Sequence, residues 1–212
     1  MSRTRTSADR ARVRTALLAL PLVAGVLGAA AVAPVEAAPR SAPTSLTCRG
    51  AGVDPAAIIR YRTETVIHAP LSTIWKLQTD VERWPSWQGA VETAKRLDHG
   101  PLRKRSAFVW TVPVPATPTT PATTLEITSA VEQLKRGSCI RWTGPAVGEG
   151  LRIDNGVHVW NFTEVKGGVR VRTEETHTGK QVEADAATAN RMLKEGLDAW
   201  LRDLKTAAEA RH

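Results

Sequence analysis

The sequence predicts an α+β domain: a curved antiparallel sheet of about seven strands wrapped around one long C-terminal helix, with two short helices after the first strand. Three observations lead there. Stretches rich in β-branched and aromatic residues succeed one another at 57–68, 89–97, 105–112, 123–133, 138–143, 151–165 and 168–178, separated by turn residues. Their short connections suit an antiparallel meander, which twists and curls. One long segment of helical periodicity then closes the chain and must bury its apolar stripe on that sheet.

Ahead of these elements, Arg3, Arg5, Arg10, Arg12 and Arg14 precede an uncharged apolar run from Ala16 to Ala33 and a small-residue site ending at Ala37. A basic start, a short apolar core and a small-residue cleavage site are the parts of a secretory signal. Pro21 and the Ala and Gly content leave the run weakly apolar for a permanent span. The expectation is a Sec-type signal peptide over 1–37, cleaved near Ala37, and a secreted or extracytoplasmic product with no stable membrane span after cleavage. No adjacent Arg pair supports a twin-arginine route, and Cys48 lies too far along for a lipoprotein cysteine. Cleavage removes five Arg together with Asp9 and Glu36, so the net charge falls from +8 to +5. The remaining charge is spread out, the one dense run being Arg103-Lys104-Arg105, and no nucleic-acid partner is expected.

Residues 38–56, rich in Ala, Pro, Ser, Thr and Gly, read as a flexible N-terminal arm, and 57–212 as the domain proper. Two cysteines in an exported chain predict one disulfide, Cys48–Cys139, stapling the arm to the sheet; separate buried thiols are the alternative. In the first strand Ile59, Tyr61, Thr63 and Thr65 alternate with Arg60, Arg62 and Glu64, and Ala69-Pro70 ends it. Leu71, Ile74, Trp75 and Leu77 then show helical spacing, and Asp80 opens a second short helix limited by Pro85. The Pro- and Thr-rich stretch from Pro113 to Thr124 reads as a surface loop. Between Ala186 and Ala208 the residues Ala189, Met192, Leu193, Leu197, Trp200, Leu201 and Leu204 recur at steps of three and four, a broad apolar face opposite charged positions.

Several stretches then resemble one superfamily. Ile67-His68-Ala69-Pro70-Leu71-Ser72-Thr73-Ile74-Trp75 followed by Asp80-Val81-Glu82-Arg83-Trp84-Pro85-Ser86-Trp87 is similar to the opening signature of SRPBCC, or START-like, proteins of polyketide cyclase/dehydrase type. Ile140–Gly144, Val157–Phe162, Gly167–Glu175 and the terminal Ala199–Lys205 resemble later parts of the same pattern, so the likeness runs from about Tyr61 to His212. The resemblance implies a helix-grip fold and the binding, sometimes the transformation, of hydrophobic small molecules. Two features depart from it: the export signal and the long Pro/Thr loop.

Candidate site residues come from strand alternation. A two-residue Gly167-Gly168 loop would pair Lys166 with Val169, setting Phe162 opposite Thr173, Trp160 opposite Glu175 and His158 opposite His177 on one inward face. The other face, with Asn161 opposite Glu174 and Thr163 opposite Arg172, reads as solvent. Phe108 and Trp110, and Ile140 and Trp142, point inward by the same alternation, with Met192 and Trp200 covering them from the helix. The expected ligand wall is therefore Phe108, Trp110, Trp142, His158, Trp160, Phe162, Met192 and Trp200, with ordinary core packing as the alternative. Glu175 and His177 are the candidate acid–base pair, or else a hydrogen-bonded pair at a wet rim. No zinc signature, phosphate-binding Gly loop or nucleophile elbow occurs, so neither metal nor cofactor is expected. The leading reading is an exported binder or carrier of a hydrophobic or aromatic small molecule. A cyclase/dehydrase-type enzyme using Glu175 and His177 comes second, and an interaction module with a collapsed pocket third. Oligomeric state is not legible.

Overall fold

A short hairpin of β1 (Thr47–Cys48) and β2 (Ala51–Gly52) precedes strand β3 (Ile59–Ile67), helix α1 (Leu71–Thr79) and a 3-10 turn at Val81–Ser86. There follow β4 (Thr93–Arg96), β5 (Ala107–Val114), β6 (Thr123–Lys135), β7 (Cys139–Gly148), β8 (Leu151–Val165), β9 (Gly168–Thr178), a single turn α2 (Lys180–Glu183) and the long helix α3 (Ala186–Glu209). This computed structural model describes residues 44–118 and 120–211, and the expected signal peptide at 1–37 lies outside them. Strands β3 to β9 form one antiparallel sheet in the order β3-β9-β8-β7-β6-β5-β4, so the meander returns its last strand beside its first. Among the described residues no helix is long and apolar enough to cross a membrane.

The expected seven-strand sheet and closing helix are present; the differences lie at element ends. The strand expected at 138–143 runs on to Gly148. It does so by passing β6 closely at Gly144, where a Cβ would meet the Thr128 carbonyl oxygen at 1.8 Å, so only glycine fits. Beyond β4, strand β5 continues through Pro113 and Val114, shortening the expected loop. There β5 has no further partner on its β4 side, and an edge position tolerates proline.

The β8–β9 hairpin also differs from the sequence reading. Its turn is Lys166-Gly167, pairing Val165 with Gly168, so Phe162 lies opposite Val171, Trp160 opposite Thr173, His158 opposite Glu175 and Gly156 opposite His177. Gly167 takes the left-handed turn position at φ 83°. Gly168 is instead needed inside the strand, where a Cβ would lie 2.3 Å from the Ile67 carbonyl oxygen. A slip of two residues preserves every face, so the inward set stands although the individual partners change.

The outer face corrects a second expectation. Rather than facing solvent throughout, it is covered over β7–β9 by the arm. Leu46, Cys48 and Val53 pack on Cys139, Val157 and Val159, and Cys48 is disulfide-bonded to Cys139 across 91 residues. Glu174 is buried beneath the arm. It accepts from the backbone N–H of Leu46 at 2.6 Å, from Ser45 Oγ at 3.2 Å and from Arg60 Nε at 2.7 Å. Arg62 Nη1 donates to the Thr44 carbonyl, Asn161 Nδ2 to that of Thr47 and Arg141 Nε to that of Gly52.

On the inner face α3 is started by Asp185, whose carboxylate accepts from the Thr188 N–H at 3.0 Å. The helix buries Leu193, Leu197, Trp200, Leu201, Leu204 and Ala208 against the sheet. Opening the disulfide in a Cys48→Ser/Cys139→Ser variant should lower stability by about 4.6 kcal/mol, the chain-entropy scale for a loop of 91 residues. Urea titration at neutral pH measures it; an unchanged midpoint would mean the bridge adds nothing to the fold.

Candidate functional site

The space between sheet and α3 divides into two ends. At one end six aromatic side chains meet. Trp84, from the 3-10 turn, lies edge-on to Phe108 at 5.3 Å, Trp110 at 5.6 Å and Trp200 at 5.0 Å between ring centroids. Trp142 lies 5.7 Å from Phe108 and 6.4 Å from Trp160, and Trp160 lies 5.9 Å from Trp200. Edge-to-face geometry at these distances suits ring quadrupoles. Phe162 meets Trp75 of α1 at 5.4 Å instead. Phe108 and Trp160 have no exposed surface, because the other rings occupy their faces.

Polar ends of these rings are mostly paired. Gln78, wholly buried on α1, accepts from Trp200 Nε1 at 3.2 Å through its side chain and from Trp84 Nε1 through its carbonyl. Trp110 Nε1 donates to Ser129 Oγ at 3.1 Å. Trp160 Nε1 and Gln78 Nε2 are buried donors without an acceptor.

The other end is aliphatic. Ile59, Val114, Leu125, Ile153, Leu193 and Leu197 pack there, with Tyr61, Val112, Ile127 and Met192 only partly covered. Where the two ends meet, β8 and β9 set three titratable side chains into the inner face. His158 Nδ1 lies 3.2 Å from one Glu175 oxygen, and His177 Nε2 lies 3.2 Å from the other. His158 Nε2 is 2.6 Å from Thr173 Oγ1. An ionised carboxylate only accepts, so the nitrogens facing Glu175 carry protons, and Nε2 of a neutral His158 then accepts from the Thr173 hydroxyl. The His158 contact is close without being aligned as a hydrogen bond, whereas the His177 contact is one.

Burial sets the charge pattern. It pushes the His158 imidazole down to about 4 from an ordinary 6.5, against the pull of Glu175, with His177 adding slightly. Burial works against ionisation of Glu175 too. The adjacent His158 and the hydrogen bond from His177 outweigh it and hold the carboxyl below its usual value. His158 is 2 % exposed, whereas the Glu175 and His177 side chains are each 16 % exposed and so remain reachable. A buried neutral imidazole thus orients a carboxylate whose second partner is an accessible imidazole, an arrangement able to move a proton.

The candidate residues are therefore split. Phe108, Trp110, Trp142, Trp160 and Trp200 come together in the ring cluster, with His158 tilted against Trp160 at 5.0 Å. Glu175 and His177 adjoin them. Phe162 sits apart against α1, and Met192 belongs to the aliphatic end. The sequence reading leaves Trp84 and Gln78 out of the site and sets Thr173 on the inward face without a role there. The Asp80-to-Trp87 stretch is the signal for Trp84; a lone Gln within a helix carries none. Among the described residues no group of three or more His, Cys, Asp and Glu side chains is arranged to hold a metal ion.

A seven-stranded antiparallel sheet gripping one C-terminal helix, with an apolar interior interrupted by a few converging polar groups, defines the helix-grip class of proteins. The family model described as "Polyketide cyclase / dehydrase and lipid transport" matches residues 58–209, and the chain belongs to that family. Similar solved structures include a START superfamily protein from Mycobacterium smegmatis, at 12% identity and TM-score 0.54, covering 72% of this chain and 99% of that one. The protein TTHA0849 from Thermus thermophilus is 16% identical at TM-score 0.55, covering 72% and 98%. The di-domain ARO/CYC StfQ from the steffimycin biosynthetic pathway is 16% identical at TM-score 0.54; the match covers 72% of this chain but 51% of that one, about half its length. At these identities the likeness is one of fold. No curated protein matches the chain.

The His158 environment predicts acid sensitivity. The unfolded chain takes up a proton near pH 6.5 that the folded chain resists until about pH 4, so stability is full above 6.5 and falls as pH drops through that window. Glu175, also lowered, acts in the same sense below its ordinary 4.5. Between pH 7 and pH 5 the His158 contribution amounts to about 2 kcal/mol. Urea midpoints at the two pH values should show that loss in the native chain and a flatter dependence in His158→Gln; equal slopes would remove His158 as the cause.

Proposed function

We propose that this protein is an extracytoplasmic binder of a hydrophobic or aromatic small molecule, held between sheet and α3 at the aliphatic end of the interior. The observation that carries it is the partly exposed Glu175–His177 pair set into an apolar inner face, beside the half-covered Tyr61, Val112, Ile127 and Met192. Apolar walls supply affinity in proportion to buried area, and a few polar groups supply orientation. On this reading the ring cluster is the floor of the site. Trp110, Trp142, His158 and Trp200 are its upper surface, while Phe108 and Trp160 support them from below. Membership of a family described by both cyclase/dehydrase activity and lipid transport supports the ligand class. The basic, apolar and small-residue order at 1–37, together with the Cys48–Cys139 disulfide, supports export.

Native mass spectrometry with organic extraction of protein from its producing cells should return a lipophilic molecule at near-stoichiometric level. Filling the aliphatic end with Met192→Trp should then abolish retention while the fold persists by circular dichroism. Undiminished retention in that variant would move the ligand elsewhere.

The Glu175 arrangement favours a second reading, acid–base catalysis on a carbonyl-bearing ligand. Glu175 would accept the proton from carbon and His177 would exchange it with solvent, while the apolar walls hold the chain in a reactive fold. Glu175→Gln should then slow turnover of a convertible ligand by about 10²–10⁴-fold with little change in its binding. Unchanged turnover would leave binding as the whole function.

A further inference from the structure

We propose that the outer face of the sheet carries a separate oxyanion-binding site, built where the disulfide-held arm meets β6–β9, and that it takes a phosphate-type group. Arg49, Lys135 and Arg172 border one open depression of about 680 Å³ together with Ser138, Asn161 and Thr163, and no carboxylate lines it. Among the described residues none of the three cations has an ion-pair or side-chain hydrogen-bond partner, and Arg172 Nε is buried without an acceptor. A buried guanidinium N–H is costly to leave unmatched.

The nearby carboxylates do not pair with Arg172. Glu174, two positions along β9 from Arg172, is held by Arg60, Ser45 and the Leu46 N–H. Glu64, paired with Arg172 across the β3–β9 ladder, turns to Arg170 at 3.9 Å. The three cations lining the depression therefore have no carboxylate partner there.

Arg49 gives independent support. It and Gly50 form the β1–β2 turn with φ of 51° and 84°, a left-handed pair that favours Asn or Gly at the first position. An arginine there costs stability, and backbone strain retained at one residue points to a use for its side chain. The turn is held in place by the adjoining Cys48–Cys139 bond and by Asn161 Nδ2, which donates to the Thr47 carbonyl at 3.0 Å. Three cations with two hydroxyl donors, Ser138 and Thr163, match a tetrahedral dianion better than a carboxylate, which one arginine satisfies. The depression lies on the opposite side of the sheet from α3, so this site does not rest on the interior ligand proposed above.

The test is nitrogen NMR of the arginine side chains in the oxidised protein, titrated with inorganic phosphate against sodium chloride of equal ionic strength. Phosphate should shift the Arg172 Nε–Hε resonance saturably, and chloride should not. Arg49→Gly, which suits the turn and so preserves the fold, should weaken phosphate binding at least about tenfold, the scale of one charge-assisted hydrogen bond. Arg172→Gln should do the same. Phosphatidylcholine vesicles with and without phosphatidic acid separate the sources: tighter binding to phosphatidic acid than to free phosphate names a lipid headgroup, and equal affinity names a soluble phosphate. An Arg172 resonance indifferent to phosphate, a titration unchanged in Arg49→Gly, or vesicle binding without any response to free phosphate would each overturn the site.

Discussion

The seating of Trp200 governs the architecture. From α3 this one side chain reaches Trp84, Trp87, Trp110 and Trp160, at 5.0 to 6.3 Å between ring centroids, and hydrogen-bonds Gln78 of α1. It thereby ties the helix to the 3-10 turn, to both halves of the sheet and to the first helix. A curved sheet cannot touch a straight helix equally along its length. Where the large rings meet, closure is complete; toward the N-terminal half of α3 smaller aliphatic residues face one another, and Val112, Ile127 and Met192 stay partly uncovered.

Strand β9 shows what the fold demands of its polar residues. Glu174 and Glu175 are consecutive, so the pleat sends one to each face. Both are largely withdrawn from water, and each has found partners of a different kind. Glu174 is compensated by Arg60 and by backbone N–H groups of the arm, which makes it a structural clamp. Glu175 is compensated by imidazoles, one of them held neutral by burial, at the edge of the apolar interior. The same backbone geometry thus yields an arginine-paired carboxylate outside and a histidine-paired one inside.

Much of this is legible from periodicity. The alternation in β8 and β9 places Trp160, Glu175 and His177 on one face, and a two-residue slip in hairpin register leaves that face intact because the pleat has period two. The slip itself arises from Gly168, whose close approach to the Ile67 carbonyl cannot be read from a Gly-Gly pair. The outer face escapes sequence reading for a related reason: Val157 and Val159 alternate outward as a buried pair, but the arm that covers them lies more than 100 positions away in the chain. Gln78, buried under two indoles, gives no signal because a glutamine late in a short helix looks like any solvated polar residue.

By itself the sequence determined the order of the seven sheet strands and of α1 and α3, the apolar stripe of α3 and the inward faces of the strands, all properties of local period and composition. Tertiary structure alone decided which rings fill the interior and which stay reachable, which glutamate is a clamp, and how the arm brings Arg49 beside Lys135 and Arg172. These depend on the curvature of the sheet and on contacts between distant segments, and no local pattern encodes how far a sheet bends before its side chains meet.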